Sequence, residues 1–317
     1  MRVLAAPDKF RGTLSAHEAA AAIALGASRA GWETTELPLA DGGEGTLDVL
    51  GGGNRTTVVS GPLGVPVEAA WRLDDGVALV EAARACGLTL AGGAEGNDPL
   101  GATSRGVGEL IAAAIAAGAE RVVVAVGGVA SSDGGAGAAE ALGRPLAVPV
   151  EVACDVEVRF LDAADVFAPQ KGATPEQVAV IRERLARLDV PDQPGAGAAG
   201  GLAGGLAALG ATLVPGFDLV AERLDLDRHL TAADLVITGE GRVDATSLTG
   251  KVVGGVLARA AAAGVEALVV AGDVVTNAPI DAVSIVALCG RERALADPAA
   301  CIAEVVEKEL TRRERTA

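Results

Sequence analysis

The apolar positions of this chain fall in short runs that stop at glycine or charge, and the spacing of those runs changes twice. Residues 2–6 read as a buried strand that ends at Pro7-Asp8. Ser15, with Glu18 three residues later, makes a capping box that opens a helix over 15–30. A second strand over 34–39 runs into the glycine-rich loop Ala40-Asp41-Gly42-Gly43-Glu44-Gly45-Thr46. Strand, helix and strand in this order predict a parallel α/β sheet.

From about residue 56 the pattern shortens. Strands are expected over 56–60, 67–73 and 77–82, and the Asp75-Gly76 turn between the last two predicts an antiparallel hairpin. A helix over 105–117, strands over 122–126 and 150–154, and a helix capped by Thr174 with Pro175 and Gln177 behind it follow. The Ala- and Gly-rich stretch 198–210 keeps Leu202 and Leu206 at helical spacing and reads as helix. After about residue 232 the first pattern returns, with strands over 234–238, 267–271 and 283–288, a helix over 251–263 closed by Gly264, and a charged last helix. The expected fold class is therefore α/β. A discontinuous Rossmann-like domain with a parallel sheet, residues 1–60 and 233–317, is interrupted by a second α/β domain with a mixed sheet, residues 61–232. The active site is expected in the cleft between the two domains.

Composition limits what such a fold can bind. The 317 residues are enough for two domains, and a core that is half apolar but only 2% aromatic must be built from Ala, Val, Leu and Ile. A net charge of −16 repels polyanions, so neither nucleic acid nor an anionic membrane is an expected partner. The four cysteines, Cys86, Cys154, Cys289 and Cys301, form no C-x-x-C pair and are expected as reduced thiols. With no apolar h-region at the N-terminus and no long apolar run, the expectation is a soluble cytoplasmic protein.

Two nucleotide-binding patterns occur and both fail on context. Gly195-Ala-Gly197-Ala-Ala-Gly200 follows Pro191-Asp192-Gln193-Pro194 where a dinucleotide fingerprint needs a strand. Gly250-Lys251 ends like a P-loop, but Ala245 replaces its first glycine and Val252 its Ser or Thr. What remains is a set of charged clusters beside glycine: Asp8-Lys9-Phe10-Arg11-Gly12, Asp41 to Gly45, Ser131-Ser132-Asp133-Gly134-Gly135 behind Gly127-Gly128, Cys154-Asp155, Lys171-Gly172, and Glu240-Gly-Arg242-Val-Asp244. Nearly all stand where a strand gives way to a loop, the edge at which open α/β sheets bind ligands. Phosphoryl transfer needs cations for phosphates, carboxylates for a metal, a base for the acceptor and backbone N–H donors, and these clusters supply all four.

These same residues carry a resemblance. Through A-P-D-K-F-R-G-T-L-S-A, L-A-D-G-G-E-G-T, N-D-P-L-G-A-T-S-R-G-V-G-E-L, G-G-V-A-S-S-D-G-G-A-G, V-F-A-P-Q-K-G-A, P-G-A-G-A-A-G-G-L and T-G-E-G-R-V-D-A-T-S-L-T-G-K the chain resembles the bacterial type I glycerate kinases over nearly its whole length. The resemblance implies phosphorylation of glycerate by ATP with Mg²⁺, with 2-phosphoglycerate favoured over 3-phosphoglycerate, a flavodoxin-like domain interrupted by a second α/β domain, and a homodimer as an admissible assembly. Departures from the family pattern include Ser131-Ser132 in place of a Thr-Asn pair, Arg11 where Lys is common, Asp98 in a stretch that often reads Arg-Asn-Pro, and Glu157 to Leu161 after Asp155 where Asn-Pro-Leu is usual. They leave a kinase of another small hydroxy acid, or a non-catalytic two-domain ligand sensor, as the alternatives.

Roles follow from chemistry, each with a plain structural competitor. Asp41 and Asp133 are candidates for general base or phosphate organiser, against an Asx-turn or helix cap. Lys9 and Arg11 are catalytic-site cations that clamp carboxylate or phosphate, Arg11 in bidentate fashion. Asp8, Glu44, Ser131, Ser132, Lys171, Arg242 and the glycines Gly127, Gly128 and Gly197 are candidates for contact with substrate or phosphate; Glu44 equally suits a helix start and Lys171 a solvated surface. Asp155, Glu240 and Asp244 are candidate Mg²⁺ ligands, against a loop cap for Asp155 and a self-satisfied salt bridge around Arg242 for the other two. His17 and His229 stand alone and are given no part in catalysis.

Overall fold

A computed structural model describes residues 1–143, 145–248 and 251–314, so Gly250 of the rejected P-loop pattern lies outside the described residues. In chain order the strands are β1 (Arg2–Ala5), β2 (Glu33–Glu36), β3 (Arg55–Ser60), β4 (Pro66–Asp74), β5 (Val77–Glu81), β6 (Arg121–Ala125), β7 (Val150–Cys154), β8 (Thr212–Pro215), β9 (Leu235–Val243), β10 (Glu266–Val274) and β11 (Val283–Ser284). They form two sheets in two compact units, Met1–Asp41 with Phe217–Ala317, and Gly42–Gly216.

The first unit holds the sheet β11-β10-β9-β1-β2, parallel at every pairing. Counted within the unit this is the flavodoxin-like order, with its switch point between β1 and β9. The central strands are apolar on both faces because both faces are covered: Val3, Leu4, Ala5, Val236, Ile237 and Val270 are all buried. The helix Ala16–Arg29 opens on the expected capping box of Ser15 and Glu18. Its Ala19, Ala20 and Ile23 pack in one core with Cys301, Ile302 and Val306 of the helix Pro298–Glu314.

Two expectations change in this unit. The apolar run 283–288 is mostly helix: only Val283 and Ser284 pair with β10, and the Ser284 hydroxyl then accepts from the Ala287 N–H and starts the helix Ile285–Cys289. Conversely β9 does not stop at Thr238. It keeps pairing with β10 as far as Val243 opposite Val274, so Glu240 and Arg242 stand on a strand and not in a loop.

The second unit holds the mixed sheet β3-β4-β5-β6-β7-β8, antiparallel from β3 to β5 and parallel from β5 to β8. Asp75 and Gly76 both adopt left-handed backbone (φ 46° and 75°), the conformation a two-residue hairpin turn requires. The core joins Val122 and Val124 of β6 to Leu110 and Ile111 of the helix Arg105–Ala116 and to Leu202 and Leu206. In the stretch 198–210 only Leu202–Ala208 is α-helix, because Ala199 and Gly200 take left-handed angles inside the preceding turn.

The unit boundaries differ from the expected 60/61 and 232/233. Residues 42–60 belong to the second unit because β3 pairs with β4 and because the start of the helix Thr46–Val49 is bonded to Glu81 at the end of β5. The helices Gly216–Arg223 and Leu226–Thr231 go with the first unit, where Arg259 of the helix Val252–Ala263 bonds both Asp218 and Asp227. No described helix is long and apolar enough to cross a membrane.

Candidate active site

A pocket of about 410 Å³ opens in the first unit. Its lining includes Asp8 and Lys9 just past β1, Asp41 past β2, Glu240, Arg242 and Asp244 from the end of β9, and Gly272 and Asp273 of β10. The pocket thus lies at the carboxyl ends of the strands around the switch point, where this sheet order leaves a crevice. All seven site candidates from this unit, Asp8, Lys9, Arg11, Asp41, Glu240, Arg242 and Asp244, line it. Lys251, Arg291 and Asp273 also line it and were not named as site residues: Lys251 was set aside with the rejected P-loop pattern, Arg291 belongs to the charged run Arg291-Glu292-Arg293, and Asp273 is a lone charge after an apolar run.

Charges are layered in this pocket. Asp8 and Asp41 are buried, while Arg11 and Arg242 are exposed. Lys9 Nζ stands between the two aspartates, 3.7 Å from Asp8 Oδ1 and 3.9 Å from Asp41 Oδ1. Burial pushes the Asp8 carboxyl up to about 7; Lys9 opposes the shift, and Asp41 and Glu240 add to it. Glu240 is also held above the ordinary carboxylate range, chiefly by burial, with a hydrogen bond from the Ser247 hydroxyl pulling the other way.

In the second unit the structure gives most of the candidates internal work. The loop after β6 is fastened to the loop before the helix Thr46–Val49: the Val126 N–H donates to Gly42 O, and a Cβ on Gly127 would come within 2.5 Å of Gly43 Cα. Gly128, left-handed at φ 68°, faces the exposed Glu44 carboxylate. Asp133 accepts from the Ser104 N–H and hydroxyl (both 2.8 Å), and from the N–H groups of Gly135 and Gly137 (both 3.1 Å). Its carboxylate therefore ties Ser104, just before the helix Arg105–Ala116, to the start of the helix Ala136–Leu142, a structural use beside its expected role as base or phosphate organiser. Lys171 is buried rather than solvated. Its ammonium donates to Ser131 O at 2.5 Å, and burial pulls it down to about 8.

Gly197 is tightly packed: its N–H donates to Val158 O, and a Cβ there would meet Arg159 O at 2.3 Å. Ser131 and Ser132 are buried, and Ser132 Oγ has no hydrogen-bond partner. Asp155 is half-buried just past β7 and does not line the pocket of the first unit. The sequence reading missed Glu81, which is 1% exposed and accepts from the Gly45 and Leu47 N–H groups, both at 3.0 Å, with Arg84 Nε 3.3 Å away. A glutamate closing the apolar run Val77-Ala-Leu-Val was the available signal, because a buried carboxylate needs donors.

Two overlapping stretches, residues 3–149 and 144–313, match the profile of the Glycerate kinase family. The chain belongs to that family. It is accordingly an enzyme of the kinase class. Among relatives of this glycerate kinase family member, the Escherichia coli K12 protein named Glycerate 2-kinase is 37% identical over 305 residues, covering 80% of each chain. The Bacillus subtilis 168 protein named Glycerate kinase is 38% identical, covering 86% of this chain and 85% of its own. A crystal structure from Salmonella typhimurium LT2, provisionally assigned as glycerate kinase 2, superposes with a TM-score of 0.81 at 35% identity and covers 100% of this chain and 99% of that one.

Kinases of this kind imply a divalent metal, and the pocket's donors suit one. Glu240 Oε1 is buried and has no hydrogen-bond partner, and Asp244 lines the same pocket. No three His, Cys, Asp or Glu residues form a ready-made metal cage among the described residues. That combination fits Mg²⁺, which is commonly held by one or two carboxylates together with substrate phosphates.

Proposed function

We propose that the chain transfers the γ-phosphoryl group of ATP to the 2-hydroxyl of glycerate, giving 2-phosphoglycerate and ADP. The observation that carries this reading is the pocket at the switch point of the first unit, in which buried carboxylates stand beneath exposed guanidiniums. Arg11 and Arg242 offer donors for the glycerate carboxylate and the phosphate oxygens. A pocket carboxylate takes the hydroxyl proton, and Lys9 offsets the negative charge gathered there. Glu240 and Asp244 would hold Mg²⁺, which when bound neutralises phosphate charge.

In the second unit, Asp133, Lys171 and Glu81 keep the loops at 42–47 and 127–137 in shape, and Glu44 and Ser132 are the groups left to meet a ligand. The preference for the 2-hydroxyl is supported by the name of the Escherichia coli relative. The unusual segment 157–161 argues little for a different acceptor, since Phe160 is 1% exposed and packs into a local core with Ile181 and Leu185.

The test is ADP release coupled to a dehydrogenase, with D-glycerate, ATP and Mg²⁺, followed by phosphorus NMR of the product. Glycerate-dependent turnover and a 2-phosphate signal are expected. No turnover at millimolar glycerate, or faster turnover with another hydroxy acid, would sink the reading, and a 3-phosphate signal would overturn its regiochemistry alone.

A further inference from the structure

The lining of the pocket divides by chemistry as well as by element. Most of its carboxylates and cations come from the segments that end β1, β2 and β9, whereas Ile285, Val286, Ala294, Leu295 and Pro298 come from the helices that follow β11. This apolar wall is built into the fold. The Ser284 hydroxyl caps the helix Ile285–Cys289, Gly290 at φ 81° ends it, and the Ala294 N–H then donates to Gly290 O at 3.0 Å in the helix Arg291–Ala296. Ile285 and Ala294 share the core of the first unit with Ile302 and Val305, so the wall is anchored in that core. Leu295 differs from them: it lines the pocket and yet is 58% exposed. Singly exposed leucines are ordinary, but this one extends an existing apolar surface. Arg291 lines the pocket from the same helix, with its guanidinium 3.7 Å from the Asp273 carboxylate of β10.

The charged parts of the two substrates have no use for such a wall. Glycerate carries oxygen on every carbon and a triphosphate is polar throughout, so both belong with the cations and carboxylates. A purine ring presents two apolar faces, and aliphatic side chains are the surface against which those faces leave water.

We propose that the wall of Ile285, Val286, Ala294, Leu295 and Pro298 is the base subsite of the nucleotide, from which the triphosphate runs across the carboxyl ends of β10 and β9 toward Asp8 and Asp41. The inference rests on the glycerate kinase reading above and gives a task to the part of the pocket which that reading left unused. Sheet order supports the path. The wall begins at β11, three strand spacings from β1, which is about 14 Å at the usual spacing and within the reach of an extended nucleoside triphosphate. On that path the phosphates pass Glu240 and Asp244, the residues that would hold Mg²⁺, before the γ-phosphate comes to Lys9 and Arg11.

The test separates the base from the phosphates. Irradiation of wild type with 8-azido-ATP, whose reactive nitrogen sits on the purine, should attach label within residues 285–298, and excess adenosine, which has no phosphate, should suppress it. Leu295→Ser should raise the KM for ATP about five- to tenfold and weaken inhibition by adenosine by the same factor, with a much smaller change in the KM for glycerate. Leu295→Met restores an apolar side chain of similar volume and should bring both values back toward wild type. If Leu295→Ser lacks the circular dichroism spectrum of wild type, Val286→Thr takes its place. Label confined to another part of the chain would overturn the subsite. So would a KM for ATP within about twofold of wild type in the variant, or a KM for glycerate that rises as far as that for ATP. Wild type that is labelled within 285–298 and protected by adenosine, but shows no glycerate-dependent turnover, would overturn the parent reading and leave the subsite standing.

Discussion

Removing the Asp133 carboxylate should damage stability before it damages chemistry. In Asp133→Ala, four donors lose their acceptor: the Ser104 N–H and hydroxyl and the N–H groups of Gly135 and Gly137. Each hydrogen bond to a charged group contributes about 1.5–3 kcal/mol, but the four share one carboxylate and water can reach this half-buried site, so the expected loss is about 3–4 kcal/mol in total. For a unit of this size that corresponds to a fall of about 10 °C in Tm. The assay is thermal unfolding followed by circular dichroism, with kcat measured well below the transition on the same sample. Asp133→Asn, which keeps one acceptor oxygen, should lie between wild type and Asp133→Ala. A Tm for Asp133→Ala within about 2 °C of wild type, together with a kcat loss of a hundredfold or more, would refute the structural use of Asp133 and leave it with the reacting groups.

Other outcomes follow from the same contacts. Glu81→Ala strips the acceptor from the Gly45 and Leu47 N–H groups and should cost about 2–4 kcal/mol in urea unfolding, whereas Glu81→Gln should cost less than half as much. Lys171 has a folded pKa of about 8 against an ordinary value of 10.5, so it binds its proton more weakly in the folded state; its contribution to stability should rise as pH goes from 8 to 10.5, and Lys171→Met should abolish that rise in denaturation curves. Asp8 runs the opposite way. Its folded pKa of about 7 exceeds the ordinary 3.8, so its favourable contribution is complete below pH 3.8 and is lost as pH climbs to 7; Asp8→Asn should flatten the stability profile across that window. Gly200→Ala would put a methyl 2.4 Å from Ser131 O and 2.7 Å from Lys171 Nζ at a left-handed position, and should lower stability by about 2 kcal/mol or more.

The sequence displays its strands because their apolar runs are short and punctuated, and both capping boxes because their side chains bond only within three residues along the chain. Ile285 to Leu288 misled for a local reason: four apolar residues carry no period, and the deciding hydrogen bond comes from Ser284. The unit boundaries were hidden in pairings made far along the chain, β3 with β4 and Arg259 with Asp218 and Asp227. For the site, residue type and position identified the charged groups near strand ends, but not their surroundings. Asp8 and Asp133 look alike as Asp beside Lys or Gly; burial separates the first from the second, whose lone pairs are taken by Ser104, Gly135 and Gly137. Lys171 looks like a surface lysine in Pro-Gln-Lys-Gly, and only its tertiary contact with Ser131 O makes it internal.

The position of β1 between β2 and β9 also sets an order of events during synthesis. Val3 pairs with Thr34 early in the chain, but its other partner, Leu235, is translated only after the whole of Gly42–Gly216. The mixed sheet has all six of its strands within that continuous segment, so it can be complete while β1 still exposes one unpaired edge. At a synthesis rate of about 5–20 residues per second that edge waits on the order of ten seconds or more for β9. The pocket at the switch point, which needs Asp8 beside Glu240, is therefore among the last features of the molecule to form.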